Sequence, residues 1–376
     1  MRTPKAIGTN QNILQWARKN AGYSVDEVAT KMDKEKKVIN SWENGDDVPT
    51  FKQLSKLSKI YHYPSAFFFA EEVPEDEPLP SDYRTMPDRD IENFPEIKFE
   101  IKDAQERREI ALELIQRLDI SLPEFNLKCS IKDDPEEVAL KIRKYLGVTI
   151  EEQLKWKKDK YAALNNWKSI LESKGVLIFQ FSGISPEEIR AYALNKHPLP
   201  VIGVNTADDP KARNFSIFHE LAHIITGTGG VCDLNDRDKK IERFCDEVAA
   251  KFLVPPSVLL EMDQVKNHKG LYWENDVLSS LGNKFGVSRE VILISLVKLK
   301  KSTWNIYKEI KETWSHGSDD DNGEYRIPYH IKVKSWNGNY YTGLVLQAYH
   351  HKLINRHDLS SYMGNVKLEH IAKMES

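Results

Sequence analysis

Cysteine is nearly missing from this chain: Cys129, Cys232 and Cys245 are the only three among 376 residues. So sparse and odd a set builds no disulfide framework and suits a reducing compartment. Long apolar runs are missing as well. Stretches such as Val291-Ile292-Leu293-Ile294 fall far short of the ~20 residues a membrane span requires. The opening Met1-Arg2-Thr3-Pro4-Lys5 lacks the apolar core of a signal peptide. Charge of one sign is not dominant either, since 54 Lys and Arg meet 57 Asp and Glu for a net −3. Membrane-spanning, secreted, fibrous and wholly disordered classes fall away, and a soluble cytoplasmic protein is expected. The length accommodates two or three domains and a core large enough to fold without a disulfide or metal staple.

The near-neutral total conceals an uneven distribution. Residues 1–69 hold 11 Lys and Arg against 7 Asp and Glu, whereas residues 70–103 hold 4 against 12. A mildly basic head followed by an acidic, proline-studded connector is the pattern of a small binding domain tethered to a larger one. The expected organisation is a head at 1–70, an acidic linker or strap at 71–103 and a main domain at 104–314. An acidic hinge at 315–324 and a C-terminal module at 325–376 complete it. Within the strap, Tyr83-Arg84-Thr85-Met86-Pro87 reads as an ordered tie.

The head reads as short helices. Ser24-Val25-Asp26-Glu27 and Thr50-Phe51-Lys52-Gln53 are capping boxes, in which hydroxyl and carboxyl or amide satisfy each other's free backbone donors. Val25, Val28, Ala29 and Met32 form an amphipathic stripe after the first box, and Leu54, Leu57 and Ile60 follow the second. Between them a third helix carries Val38, Ile39 and Trp42 inward. Two helices joined by a tight turn in a small bundle is helix-turn-helix geometry. Val38-Ile39-Asn40-Ser41-Trp42-Glu43-Asn44-Gly45 followed by Pro49-Thr50 resembles the phage-repressor-like (XRE-type) helix-turn-helix family. Its exposed residues, Lys36, Lys37, Asn40 and Ser41, are the candidate DNA contacts: lysine for phosphate or guanine, asparagine for adenine. Glu35 opposes phosphate, and a protein-docking bundle is the competing reading.

Further on, helices at 97–120, 134–147 and 161–174 precede two β-rich runs, Val176–Phe181 and Val201–Asn205, and more helices follow. The class is therefore mainly α with a small β-sheet (α+β). Leu278 to Leu299 reads as a second helical pair around Gly286-Val287-Ser288, with a packing role.

The chemistry concentrates at His219-Glu220-Leu221-Ala222-His223. Asp209-Pro210 supplies a cap and first-turn proline for its helix, and Gly227 an end. Histidines at i and i+4 lie on one helical face, where they can share a zinc ion. Glu220 beside them can take a proton from water that the metal acidifies. A third ligand is expected on the helix from Asp238 to Leu253, whose packed stripe is Ile241, Phe244, Cys245, Val248 and Phe252. Glu242, nineteen positions after His223, completes a His2Glu set, with Cys245 and Cys232 as rivals. Asp246, one turn beyond Glu242, can accept the outer proton of a histidine ligand. Val201, Ile202, Gly203, Val204 and Asn205 are expected to form a sheet-edge strand that pairs with an extended substrate. Tyr192, Arg190 and His197 are candidates for the oxyanion, each against the reading of a packed or solvated side chain.

Pro200 to Asn205, Arg213 to His223, Ile241-Glu242-Arg243-Phe244-Cys245-Asp246, Ala249-Ala250 and Val254-Pro255 together resemble the ImmA/IrrE metallopeptidase family. The resemblance covers most of residues 12–300 and implies a zincin-like fold that cleaves a repressor or other regulator in stress or mobile-element responses. By it, His219, His223 and Glu242 carry over as ligands of one zinc per chain and Glu220 as general base. Two departures stand out. Asp246 replaces a commoner Asn and keeps an acceptor, whereas Lys251 replaces a usual acidic residue and changes the local charge. Two functions follow as expectations: a zinc endopeptidase on a DNA-binding head, or a regulator whose zincin-like domain senses a ligand with little proteolysis. Protein substrate, DNA and a homodimeric copy are the partners considered.

Overall fold

The computed structural model describes residues 4–73, 95–156, 159–228, 236–314 and 327–374. The tie at Tyr83–Pro87, Cys232 and the acidic hinge lie outside the described residues. Two compact units make up the chain, Met1–Asp103 and Ala104–Ser376.

In the first unit, α1 (Gln11–Asn20), α2 (Val25–Met32), α3 (Lys36–Asn44) and α4 (Phe51–Tyr61) precede a short 3-10 helix, Ser65–Phe69. Both capping boxes form, Ser24 with Glu27 and Thr50 with Gln53. Gly45 ends α3 at φ +82°, a left-handed conformation that glycine adopts without strain. Val28, Ala29, Met32, Ile39, Trp42, Leu54 and Leu57 share one core with Ile13, Leu14 and Ala17 of α1. Val38 only packs against that core's margin rather than entering it. Helix α5 (Pro95–Arg117) gives its first residues to this unit and the rest to the second. It opens inside the stretch whose composition reads as a strap, because apolar Ile97, Ile101 and Ala104 recur at helical spacing and are buried.

In the second unit, α6 (Pro135–Leu146), α7 (Ile150–Gln153) and α8 (Ala162–Ser173) lead into strands β1 (Leu177–Phe181), β2 (Ala191–Leu194) and β3 (Val201–Asn205). Next come α9 (Pro210–Thr226), α10 (Asp236–Leu253), α11 (Pro256–Glu261), α12 (Asp263–Lys266), α13 (Asn275–Phe285), α14 (Arg289–Lys298) and α15 (Trp304–Trp314). Helices α16 (Tyr329–Asn337), α17 (Asn339–His350) and two shorter ones, Arg356–Tyr362 and Leu368–Ala372, close the chain. One apolar core joins α6, α8, the sheet, α9, α10 and the α13–α14 pair, so the helical pair around Gly286 is spent on packing. No helix among the described residues is long and apolar enough to cross a membrane.

The sheet corrects one expectation. Its order is β1-β3-β2, with β3 parallel to β1 and antiparallel to β2. Val201–Asn205 is therefore the central strand, its main chain taken up on both sides, and cannot pair with a substrate. All five of its residues are buried, the pattern of a strand covered on both faces. The edge nearest the hairpin turn is β2, which alternates between half-buried and buried. Arg108 steadies the β2–β3 turn by donating to the carbonyls of Leu199 at 2.9 Å and Pro198 at 2.6 Å. Residues of the C-terminal helices reach into the same unit: Lys168 Nζ and Gln180 Nε2 both donate to the Ser335 carbonyl, at 3.0 and 2.9 Å.

Candidate metal centre

Helix α9 is held at both ends. The Asp209 carboxylate accepts from the Lys211 amide at 2.8 Å, and Pro210 occupies the first turn, where its missing N–H leaves nothing unpaired. Gly227 terminates the helix in a left-handed turn. Ile217, Phe218, Leu221, Ala222, Ile224 and Ile225 are all buried, so the helix runs through the interior and its rotation is set by packing. Helix α10 crosses it through Ile241, Phe244, Cys245, Val248 and Phe252, every one of them buried. Those two packed faces decide what meets between them.

What meets is His219, His223 and Glu242. Their ligand atoms lie within 4.8 Å of one another. The two imidazole Nε2 atoms are 3.1 Å apart. Glu242 Oε2 is 3.2 Å from His219 Nε2, and Oε1 is 3.3 Å from His223 Nε2. Cys245, the described rival for the third ligand, faces the apolar core and is fully buried there. Among the described residues, Glu242 Oε1 is buried yet receives no hydrogen bond of good geometry. Three lone-pair donors of nitrogen and carboxylate oxygen, converging with one acceptor atom unsatisfied, fit the donor set of a zinc ion with a position left open.

The outer face of the cluster is also occupied. Asp246 Oδ1 stands 2.9 Å from His219 Nδ1, and Thr228 Oγ1 3.2 Å from His223 Nδ1. Asp246 was legible from its spacing to Glu242. Thr228 was not, because it lies beyond the helix end and reaches His223 only through the turn at Gly227. Burial alone pushes the His219 ring down, but its hydrogen bonds to Asp246 and Glu242 prevail and raise it to about 10. Burial likewise pushes Glu242 up, and the two facing imidazoles outweigh it and hold the carboxyl down at about 2. Glu220, next to His219, is shifted upward by burial against the opposing pull of His223 and His219. A carboxylate raised in this way is suited to taking and returning a proton.

The remaining site candidates are placed as follows. Tyr192 is buried, its ring stacked on Phe181 at 5.7 Å and lying where a Cβ at Gly203 would be. Arg190 pairs with Asp208 at 3.3 Å. Lys251 is turned toward Glu136 of α6, 4.0 Å away, so its charge is met by a neighbouring helix. In the first unit, Lys36 and Lys37 are exposed on α3 and pair with Asp26 at 2.8 Å and Glu35 at 2.7 Å. Asn40 and Ser41 are half-buried, and the Ser41 hydroxyl donates to the Val38 carbonyl at 2.8 Å. Sequence reasoning missed the pair that seats this helix: Arg18 of α1 donates to both carboxylate oxygens of Glu43, at 2.7 and 2.9 Å, in the bundle interior.

Comparison with known proteins agrees with both units. Residues 171–296 match the peptidase M78 family model, described as the IrrE N-terminal-like domain, and that span contains His219, Glu220, His223 and Glu242. Residues 14–68 match the helix-turn-helix family model. No curated protein matches the chain. The chain thus joins a segment that matches the helix-turn-helix family to one that matches the IrrE N-terminal-like domain of the M78 peptidases.

Proposed function

We propose that the protein is a zinc-dependent endopeptidase, with one zinc per chain, that cuts a transcriptional repressor or other regulator protein in a stress or mobile-element response. The observation that carries this is the convergence of His219, His223 and Glu242 around one point, with Glu220 beside them on the same helix, inside an M78-type domain. His219 and His223 would hold the metal through Nε2 and Glu242 through its carboxylate. Bound there, zinc polarises a carbonyl and lowers the pKa of water. Glu220 takes the proton of the attacking water and returns it to the leaving amine. Asp246 keeps the His219 ring turned toward the cluster.

The substrate would lie extended along the outer edge of β2. The Arg190 carbonyl accepts from the Asn205 amide at 2.8 Å, which makes residues 190, 192 and 194 the ones paired with β3. The main-chain groups of Ala191 and Ala193 then point away from β3, and among the described residues none takes them up, which suits an added strand. In the head, Lys36 and Lys37 would meet phosphates and Asn40 a base edge, each lysine exchanging its present carboxylate partner for DNA. Such a protein works in the cytoplasm, where its DNA and its regulator are.

The test is mass spectrometry of cellular proteins that shorten when the chain is induced, compared between wild type and Glu220→Gln. The amide cannot accept a proton, so the variant should keep its zinc and lose the cleavage. An identical set of fragments from both forms would refute the assignment.

A further inference from the structure

The turn that ends α9 contains more hydroxyls than a helix end needs. Thr228 already caps the helix with its main chain, its amide donating to the His223 carbonyl at 3.1 Å. Its side chain does something separate. Thr228 Oγ1 lies 3.2 Å from His223 Nδ1 and 2.8 Å from Thr226 Oγ1, which in turn lies 2.7 Å from the Ala222 carbonyl oxygen. Four atoms in a row leave three gaps, and each gap needs one proton.

Counting protons fixes the direction of the row. A carbonyl oxygen only accepts, so the Thr226 hydroxyl proton goes to Ala222. The nearby His223 carbonyl, 3.3 Å from Thr226 Oγ1, is likewise only an acceptor and changes nothing. Thr226 Oγ1 therefore has no proton left for Thr228, and the Thr228 hydroxyl must donate to it. Were Thr228 to donate to His223 instead, two hydroxyl oxygens would face each other at 2.8 Å with no proton between them. The third gap is then filled from the ring, by His223 Nδ1–H.

We propose that Thr228 is a positioning residue for His223: its hydroxyl, polarised by Thr226, holds the imidazole in the tautomer that carries its proton on Nδ1 and turns a bare Nε2 toward His219 and Glu242. It thereby does for His223 what Asp246 does for His219, with a neutral hydroxyl chain in place of a carboxylate. The inference rests on reading the cluster as a zinc site, and it concerns how that site is prepared before any metal arrives. Gly227, at φ +66°, makes the arrangement possible, since the left-handed turn folds Thr228 back over the last turn of the helix.

The experiment uses the full-length chain labelled with nitrogen-15 histidine, stripped of metal, at a pH where the His223 ring is neutral. The wild-type ring should show a protonated Nδ1 and an unprotonated Nε2; a protonated Nε2 overturns the proposal without any variant. Thr228→Val keeps the shape and the main-chain cap but loses the hydroxyl. It should mix the tautomers and weaken Zn2+ binding about 10–100-fold in competition with a chromophoric chelator, whereas Thr228→Ser should stay within about threefold of wild type. A valine variant that binds Zn2+ like wild type and keeps the Nδ1–H tautomer also overturns it. If the valine variant fails to fold, the wild-type tautomer decides. If wild type takes up no Zn2+ at all, the peptidase reading fails, and the tautomer still decides this one.

Discussion

Removing the Glu43 carboxylate should unseat α3 from the first unit's bundle. Glu43 and Arg18 have side chains only 4% and 10% exposed, so water is not available to replace a missing partner. The guanidinium donates through Nε and Nη2 to the carboxylate at 2.7 and 2.9 Å, and through Nη1 to the Tyr23 carbonyl at 2.8 Å. Glu43→Ala strips two charge-assisted hydrogen bonds, each of about 1.5–3 kcal/mol, and leaves an unpaired cation inside the bundle. Breaking one side of a buried ion pair costs about 3–5 kcal/mol, which agrees with that count. An Arg18→Met, Glu43→Leu double variant should recover most of the loss, short of the about 1–3 kcal/mol for a Tyr23 carbonyl left without its donor. The assay is hydrogen exchange read by mass spectrometry on amides of α1 and α3 in the full-length chain. Exchange should quicken by roughly two to four powers of ten in Glu43→Ala, one power for each ~1.4 kcal/mol. A loss below about 1 kcal/mol, the range of exposed pairs, would refute the reasoning by showing that water reaches the pair.

Other outcomes can be checked separately. Ala193→Pro removes only the outward N–H of β2, so zinc binding and fold should survive while cleavage of the true substrate falls at least tenfold; unchanged cleavage would place the substrate elsewhere. Gly203→Ala should instead destabilise the sheet by about 1–3 kcal/mol, because the new methyl meets the Tyr192 ring in the centre of the core, and thermal unfolding reads it. In the metal-free chain, His219 should titrate near pH 10 by NMR, and Asp246→Asn should lower that midpoint. Since its folded value lies above the ordinary 6.5, the charged ring stabilises the metal-free site fully below about pH 6.5, and the benefit disappears as pH rises toward 10. Lys36→Ala and Lys37→Ala should each flatten the log–log salt dependence of DNA binding by about 0.9 for every phosphate no longer neutralised, measured by gel shifts at several salt concentrations; an unchanged slope removes that lysine from the interface.

Much of the site is local in origin and therefore visible along the chain. Spacing of i and i+4 puts His219 and His223 on one face of any α-helix, whatever surrounds it. The caps at Ser24, Thr50 and Asp209 form between near neighbours, and all three are present. Val201–Asn205 shows where such reasoning stops. Its apolar run identified a strand, but whether a strand is central or at an edge depends on which other strands join it. The distinction appears only once folded, as uninterrupted burial of all five residues against the alternating burial of Ala191–Leu194, a stretch whose Ala-Tyr-Ala-Leu sequence does not alternate polar with apolar.

The sequence by itself determined that the chain has a helix-turn-helix head, a histidine pair on one helical face and a carboxylate on a following helix, because helical period and capping act over a few residues. Only the tertiary structure decided that β2 is an edge of the sheet among the described residues, that Arg18 reaches Glu43, and that Thr228 stands behind His223. Strand order and buried pairs are set by which apolar faces pack together, and a turn such as the one at Gly227 can bring a side chain onto a ring in a direction that no periodic pattern encodes.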